Sequence, residues 1–317
     1  CRLHGEKLIR VLRSNDISER EYDFDLTARV IGFALPFVPE SLTQLYYTPL
    51  LARLSPAQRL RYNQLYAAHI NEQFIFFEHD IGNVISRALL ASGTVKPRQL
   101  QDRLSAMVDD EERHQCMFES INKQAFPELY ANGRHRFIRP SALTRRLLNA
   151  VLQRPQTLTF VIWLAFFLEE ASAEFSKTVV KLAKESPGLE PNFLALHLRH
   201  LRDEVHHVRL YPDIVRAVLC GSSAIARKIN GRLLARLMRE FLAPKRSGIA
   251  VIDRLVEEFP DLQSIHRDLH RHVRSLAGSP EFFDAFFAAS KLPSLHGMFA
   301  EYPEFSWSAS RAAARDR

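Results

Sequence analysis

Apolar residues recur at helical spacing along much of the chain, and the longest clear case lies between residues 55 and 91. Ser55-Pro56 is a helix start signal, and Ser92-Gly93 is a stop signal. By helical spacing, Glu78 stands on the apolar face of this helix, close to Ile81. A carboxylate buried there without a partner would destabilise the fold, because it would have lost its water. The pattern therefore predicts a helix in which Glu78 requires a cation.

The same periodicity predicts three further long helices, separated by stretches that contain proline and glycine. They cover about 97–126, 157–184 and 191–219, and a shorter helix is expected over about 141–153. Several more helices follow over about 222–290, and a loop-like end is expected from Leu292 to Arg317. These patterns predict an all-α fold. They indicate a single domain over residues 1–317, with a four-helix core over about 55–219 and additional N- and C-terminal helices.

Composition and charge narrow the class of protein. The chain has 317 residues, 46% hydrophobic content, a net charge of +7 and 3 cysteines. The positive charge is spread over several helix faces, so we expect no nucleic-acid partner. The longest apolar run, Phe160 to Leu168, is too short for a membrane span. Because the few cysteines are widely spaced and odd in number, we expect reduced thiols and a cytoplasmic location.

Two helical stretches repeat the pattern Asp-Glu-x-x-His, at residues 110–114 and 203–207. In each stretch, Glu and His are three positions apart and lie on the same side of the helix, so both can reach one metal ion. The pairs are Glu111 with His114 and Glu204 with His207. One such pair arises easily by chance. Two pairs, joined by one glutamate from each of two other helices, form the ligand set of the ferritin-like two-metal carboxylate bundle.

Three nearby residues extend this set. His200 lies four residues before Glu204, so it shares the metal-facing side of that helix and is predicted to be a third nitrogen ligand. Asp110 and Asp203 each precede a motif glutamate, and they are candidate acceptors for the ring N–H groups of the ligand histidines. Both aspartates are therefore expected to support the metal ligands without binding metal themselves.

The helix over 157–184 offers two neighbouring glutamates as its ligand. The apolar face of the helix favours Glu169, which aligns with Ile162 and Phe166. The separation along the chain favours Glu170. The number of residues from Glu170 to Glu204 is closer to the number from Glu78 to Glu111 than the number from Glu169 to Glu204 is. We predict Glu170 as the ligand, with Glu169 as the alternative.

Together these residues resemble the p-aminobenzoate N-oxygenase family of non-heme di-iron oxygenases, whose site has four carboxylates and three histidines. The resemblance covers roughly residues 55–219. The matching residues are Glu78, Glu111, His114, Glu170 (or Glu169), His200, Glu204 and His207. The resemblance implies a ferritin-like bundle that binds two iron ions and uses O2, with manganese as an alternative metal.

The resemblance also implies a reaction, in which the nitrogen of an amine is oxidised to a hydroxylamine and onward to nitroso or nitro. The amine is either a free small molecule or one tethered to a carrier protein, and an external electron donor is required. Phe74 and Phe167 are candidates for lining an apolar substrate pocket. A homodimer is the assembly to be tested.

Two other functions stay open. One is oxidation at carbon by a hydroxylase or desaturase, or a radical-generating protein similar to the small subunit of ribonucleotide reductase. The radical function needs a tyrosine near the metals, and Tyr66 lies three helical turns from Glu78. The other is a non-enzymatic iron-binding helical protein, such as a storage protein, which the additional C-terminal helices disfavour.

A separate histidine cluster lies at His266, His270 and His272. The first two are four residues apart on a predicted helix, which is a spacing that can bind a metal. No inward-facing carboxylate accompanies them in the sequence, so we interpret all three as surface histidines.

Overall fold

The computed structural model of the chain describes residues 30–242 and 246–307, except for the side chains of residues 240, 241, 246 and 247. All regular elements within these ranges are helical, which confirms the prediction of an all-α fold. Three short 3₁₀ turns, Glu40–Leu42, Gln44–Tyr47 and Leu51–Arg53, precede the first long helix. Further predicted N-terminal helices would fall within residues 1–29, outside the described residues. No described helix has the length and apolar character needed to cross a bilayer.

The helix predicted over 55–91 is present, but its middle is wound differently from its ends. It begins as α1 (Pro56–Phe74), continues as a π-helical segment (Ile75–Asn83) and ends as α2 (Val84–Ser92). Ser55 starts α1, since its hydroxyl accepts a hydrogen bond from the Gln58 amide. π-Helical segments are rare and occur frequently at functional sites. Glu78 lies on this one.

The other predicted helices are also present, within a few residues of their expected ends. They are α3 (Arg98–Ala125), the short α4 (Ala142–Leu152), α5 (Phe160–Glu185) and α6 (Pro191–Leu219). Together with the helix that contains the π-helical segment, α3, α5 and α6 form a ferritin-like four-helix bundle.

Two apolar cores occupy the two ends of this bundle. The first core contains Phe118 of α3 and Leu196 of α6, and the second contains Met107 of α3 and Leu210 of α6. Helix α3 therefore runs from the second core to the first, whereas α6 runs from the first to the second. The motif residues of both helices lie midway, so the fold places their polar side chains between two apolar layers that exclude water.

The C-terminal part adds five helices, α7 (Ala224–Phe241), α8 (Arg246–Glu258), α9 (His266–Ser275), α10 (Pro280–Phe287) and α11 (Pro293–Glu301). The prediction of a loop-like end from Leu292 was wrong for α11 and for the 3₁₀ turn Pro303–Phe305. Helix α11 is short, and its N-cap residue makes no side-chain capping bond. Its first turn is instead capped from a distance by Glu170, a contact that the local sequence does not indicate. Residues 308–317 lie outside the described residues.

Candidate metal centre

Four helical segments contribute carboxylates and imidazoles to one cluster in the middle of the bundle. Each of its members is at most 3% exposed to solvent. The π-helical segment contributes Glu78, and α5 contributes one glutamate. The remaining members come in two sets from α3 and α6, which are Glu111 and His114, and His200, Glu204 and His207. We call this group, completed by Glu169 of α5, the buried cluster.

The two motif histidines face the carboxylates with the same ring nitrogen. The Nδ1 atom of His114 lies 3.2 Å from Glu111, 3.5 Å from Glu78 and 3.5 Å from Glu204. The Nδ1 atom of His207 lies 2.9 Å from Glu111 and 3.1 Å from Glu204. Glu111 and Glu204 thus each contact both motif histidines and lie at the centre of the cluster.

The opposite ring nitrogens contact the two aspartates, and the pairing crosses between helices. Nε2 of His114 on α3 lies 3.1 Å from Asp203 on α6. Nε2 of His207 on α6 lies 3.1 Å from Asp110 on α3. A proton on each Nε2 satisfies the aspartate and leaves Nδ1 with a free lone pair toward the cluster. Asp110 and Asp203 thus each contact a motif histidine, and their role in supporting metal ligands stays a prediction.

His200 approaches the cluster through its other nitrogen. Its Nε2 atom lies 2.9 Å from Glu78 and 3.3 Å from Glu204. Its Nδ1 atom lies 2.9 Å from the Ser176 hydroxyl, which also lies 3.1 Å from Nδ1 of His197. Burial lowers the pKa of His197 to about 3, so this ring is neutral and can accept the serine proton. Ser176 can then accept from Nδ1 of His200, which leaves Nε2 available to a metal.

The structure places Glu169, and not Glu170, in the buried cluster. The Glu169 carboxylate lies 3.6 Å from Nδ1 of His207. The Glu170 carboxylate accepts hydrogen bonds of 2.7 Å from each of the Ser294 and Leu295 amides at the start of α11. The choice of Glu170 from chain separation was therefore wrong. The apolar face of α5 gave the correct orientation. Chain separation did not, because the loop between α5 and α6 does not have to match the length of the loop between α2 and α3.

Burial and mutual contact shift the pKa values of the cluster in opposite directions. Burial raises the pKa of Glu169 well above its usual range, and the nearby Glu111 and Glu204 raise it further. Burial also raises the pKa of Glu78. For His200, the carboxylates of Glu78 and Glu204 outweigh the effect of burial and raise its pKa to about 9. These shifts favour the protonated forms of Glu78, Glu169 and His200.

The pKa values of the two motif histidines are also set by burial and by neighbouring carboxylates. Burial opposes protonation of both rings, but Glu111 and Asp203 raise the pKa of His114 well above its usual range. Glu204 and Glu111 do the same for His207. Burial likewise opposes ionisation of Glu204, yet the adjacent imidazoles lower its pKa well below the usual range.

These residues fit a metal pair. Two buried carboxylate oxygens, one each on Glu78 and Glu169, have no hydrogen-bond donor, and one on Glu111 lies 2.9 Å from Nδ1 of His207 without the geometry of a hydrogen bond. Such atoms are destabilising unless a cation binds them. Two overlapping groups also have ligand atoms that all lie within 4.8 Å of one another, and both groups share His114 and Glu204. The other members are Glu78 and His200 in one group, and Glu111 and His207 in the other. Carboxylates with imidazoles suit iron or manganese.

Aromatic side chains surround this cluster unevenly. Phe74 stacks on His200 with ring centroids 5.1 Å apart, and Phe118 lies 5.2 Å from the same ring. Phe167 packs with Phe287 and Trp307 of the C-terminal part. Phe74 thus borders the buried cluster, and for both Phe74 and Phe167 the lining of a substrate pocket stays a prediction.

One polar neighbour was missed by the sequence reasoning. The Tyr211 hydroxyl lies 3.4 Å from Glu169, and its ring stacks on Phe166. Burial and the charge of Glu169 raise its pKa well above the usual range, so the phenol keeps its proton. Tyr211 follows His207 by four residues, and this helical spacing was a signal that could have identified it.

Comparison with known proteins agrees with this geometry. The family model described as P-aminobenzoate N-oxygenase AurF matches residues 21–277, which is most of the chain and includes every residue of the buried cluster. Among curated proteins, no match is found.

Proposed function

Because this chain belongs to the p-aminobenzoate N-oxygenase family, we propose that it uses O2 to oxidise the nitrogen of an amine to a hydroxylamine, and onward to nitroso or nitro. The observation that carries this proposal is the convergence of four carboxylates and three imidazoles in one water-excluded cluster. The substrate is a small amine, free or tethered to a carrier protein, and we propose a cytoplasmic location.

We assign each side chain a role toward two iron ions. Glu111 and Glu204 lie between the motif histidines, and with them they would hold the iron ions. Glu78 with His200 would complete one metal site, and Glu169 would complete the other. When bound, the iron pair supplies the electrons that reduce O2. Two Fe2+ ions carry the charge that four ionised carboxylates balance, which allows the site to stay buried between two apolar cores.

The balance of the reaction defines what else is needed. One oxygen atom of O2 enters the new N–O bond, and the other leaves as water. The first step therefore takes up two electrons and two protons from an external donor and solvent. No side chain of the buried cluster has to supply electrons, and its histidines are held by Asp110, Asp203 and Ser176 in fixed orientations.

The decisive experiment is a product screen by mass. Iron-loaded protein is reduced without oxygen, mixed with O2 and offered matched aryl and aliphatic amines. We expect a mass gain of one oxygen on nitrogen, followed by further oxidation, and no gain with metal-free protein. Oxygen added only at carbon would contradict the proposal and would indicate a hydroxylase.

Tyr211 favours a second candidate function, a radical-generating oxidase. Its buried hydroxyl lies close to Glu169, whereas Tyr66 was the residue that the sequence analysis considered. In this function, Tyr211 would lose one electron and one proton when O2 is reduced. Electron paramagnetic resonance after oxygen exposure tests it, because a stable organic radical must appear in the wild type and be absent in Tyr211→Phe.

A further inference from the structure

A second group of possible metal ligands lies apart from the buried cluster, on α8 and α9. The Nε2 atoms of His266 and His270 each lie 2.7 Å from the same carboxylate oxygen of Asp253. The two imidazole rings are 4.3 Å apart. The sequence alone predicts surface histidines here, because no carboxylate accompanies them on their helix. The structure supplies that carboxylate from the preceding helix.

The donor set has the composition of a compact metal site. Two imidazole nitrogens four residues apart on one helix, with a carboxylate from another element, are a common arrangement for zinc and for related divalent ions. The three ligand atoms lie within 4.8 Å of one another. A fourth position would be open to water, because no other described His, Cys, Asp or Glu joins this group.

A small local adjustment would convert the hydrogen-bonded arrangement into a bound one. Each imidazole would move its proton from Nε2 to Nδ1, which frees the lone pair that faces Asp253. Ligand atoms at zinc bond lengths of about 2.0–2.1 Å in a tetrahedron lie about 3.3 Å apart. The separations must therefore open from 2.7 Å by roughly half an ångström. Asp253 is 46% exposed and can make this movement.

The surroundings allow an ion to enter. His266 and His270 are 25% and 20% exposed, so the site opens to solvent. Two neighbouring arginines are ion-paired, since Arg254 contacts Glu257 and Glu258 and Arg271 contacts Asp268.

We propose that Asp253, His266 and His270 form a zinc-type divalent metal site that clamps α8 to α9. The opposite faces of these helices are already fixed in the first apolar core through Val251, Leu255, Leu269 and Val273. A metal on the outer side would join the same two helices by a second, directional link. This site shares no residue with the buried cluster, so it does not depend on the proposed oxidation reaction.

Zinc titration of the full chain tests the proposal. The buried cluster is first filled with Fe2+ without oxygen, and iron content is measured before and after addition of Zn2+. We expect the wild type to bind one zinc ion more than His270→Ala and Asp253→Ala, whose affinity for that ion should fall at least tenfold. His272→Ala is the matched control on the same helix, and it should bind zinc as the wild type does.

Thermal unfolding gives a second readout, because an ion that binds only the folded state raises the melting temperature. Zinc should raise it by several degrees in the wild type and in His272→Ala, and not in His270→Ala. Equal zinc binding by wild type and His270→Ala, or an equal loss in His272→Ala, would overturn the proposal. Circular dichroism checks that all variants keep their helix content.

Discussion

The buried cluster has two halves, one on the side of Glu78 and one on the side of Glu169, which are built from repeated motifs but have different neighbours. In the first half, Glu78 stands on a π-helical segment, and His200 of α6 adds a third nitrogen. In the second half, Glu169 stands on a regular α-helix, and the equivalent of His200, four residues before the motif glutamate of α3, is Met107. The position four residues after each motif histidine also differs, with Phe118 on α3 and Tyr211 on α6.

This difference shows where symmetry ends. The Asp-Glu-x-x-His pattern fixes the central carboxylates Glu111 and Glu204, the paired histidines and the crossed aspartates in the same way on both helices. One helical turn away from the motif, the Glu78 side of the cluster has an additional imidazole and aromatic rings. The Glu169 side has the phenol of Tyr211 instead. The two sides of the cluster therefore offer different donors to a bound cation, although they share Glu204 and His114.

The largest effect is expected at a residue shared by both halves. Glu204 lies 3.1–3.5 Å from all three histidines and belongs to both groups of possible ligands. Glu204→Ala should lose both metals, and activity should fall by more than about 100-fold, beyond the usual effect of a supporting residue. Iron content per chain and turnover measure this. Glu112→Ala is the matched control and should keep its iron, because Glu112 is an exposed glutamate next to Glu111.

The pH dependence of metal binding tests the electrostatics of both halves. Iron requires neutral imidazoles, and the folded metal-free protein raises the pKa of His200 to about 9, with His114 and His207 also raised. Iron affinity should therefore rise by about tenfold per pH unit for each proton released. Anaerobic Fe2+ titrations between about pH 6.5 and 9 measure the slope.

The same pKa shifts predict that the stability of the metal-free protein falls with rising pH, whereas its iron affinity rises. A histidine whose pKa is raised on folding contributes stability that is complete below about pH 6.5, its unfolded value. That contribution is lost as the pH rises through about 9 for His200. The melting temperature of the metal-free protein should fall across this window while iron affinity rises. An iron affinity that does not change with pH would contradict the assignment.

His200→Ala separates the two halves. It removes a nitrogen from the Glu78 side only, so iron content should fall from about two toward one while the other half keeps its ligands. Met107→Ala changes the equivalent position of the second half and should keep both metals. Metal analysis after desalting distinguishes these outcomes. Complete metal loss in His200→Ala would show that the two halves cannot bind separately.

The crossed aspartates should produce an intermediate effect. Asp203→Asn and Asp110→Asn should each lower metal affinity by about 10–100-fold, because the partner histidine loses its anionic acceptor. Competition with a chelator measures the change. Asp109→Asn is the control, since Asp109 is exposed beside Asp110. A variant that leaves affinity unchanged would mean that the aspartate does not orient its histidine.

The smallest effect is expected for Tyr211→Phe. The hydroxyl makes a long contact of 3.4 Å with Glu169, so its removal should cost about 1 kcal/mol, which is less than tenfold in metal affinity. Tyr62→Phe is the comparison, because it removes a buried hydroxyl that contacts the Leu45 amide, away from the metals. A large loss of iron in Tyr211→Phe would instead make the phenol an essential support of the second half.

Local patterns were enough to predict the bundle and most of the cluster. Helix starts at Ser55-Pro56 and Pro191 depend on the chain nearby, and the structure begins both helices there. The Glu-x-x-His spacing is also local, because it only requires one helix face. Within a turn or two of chain, residue chemistry and helical geometry determine where a side chain points.

The features that were missed depend on contacts between distant segments. Helix α11 is capped by Glu170 across 124 residues of sequence, and the pair His266 and His270 acquires its carboxylate from Asp253 on another helix. The π-helical winding around Glu78 is likewise not indicated by apolar periodicity. The prediction of Glu170 came from comparing chain separations between the two halves of the sequence. It failed because the length of a loop can vary without altering which side of a helix faces inward.

Glu169 and Glu170 are joined by one peptide bond, yet they serve different parts of the molecule. The first completes the buried cluster, and the second anchors the start of α11. A displacement of α11 would thus move the backbone next to Glu169. Removal of α11 should therefore disturb the buried cluster at a distance, without changing any of its residues.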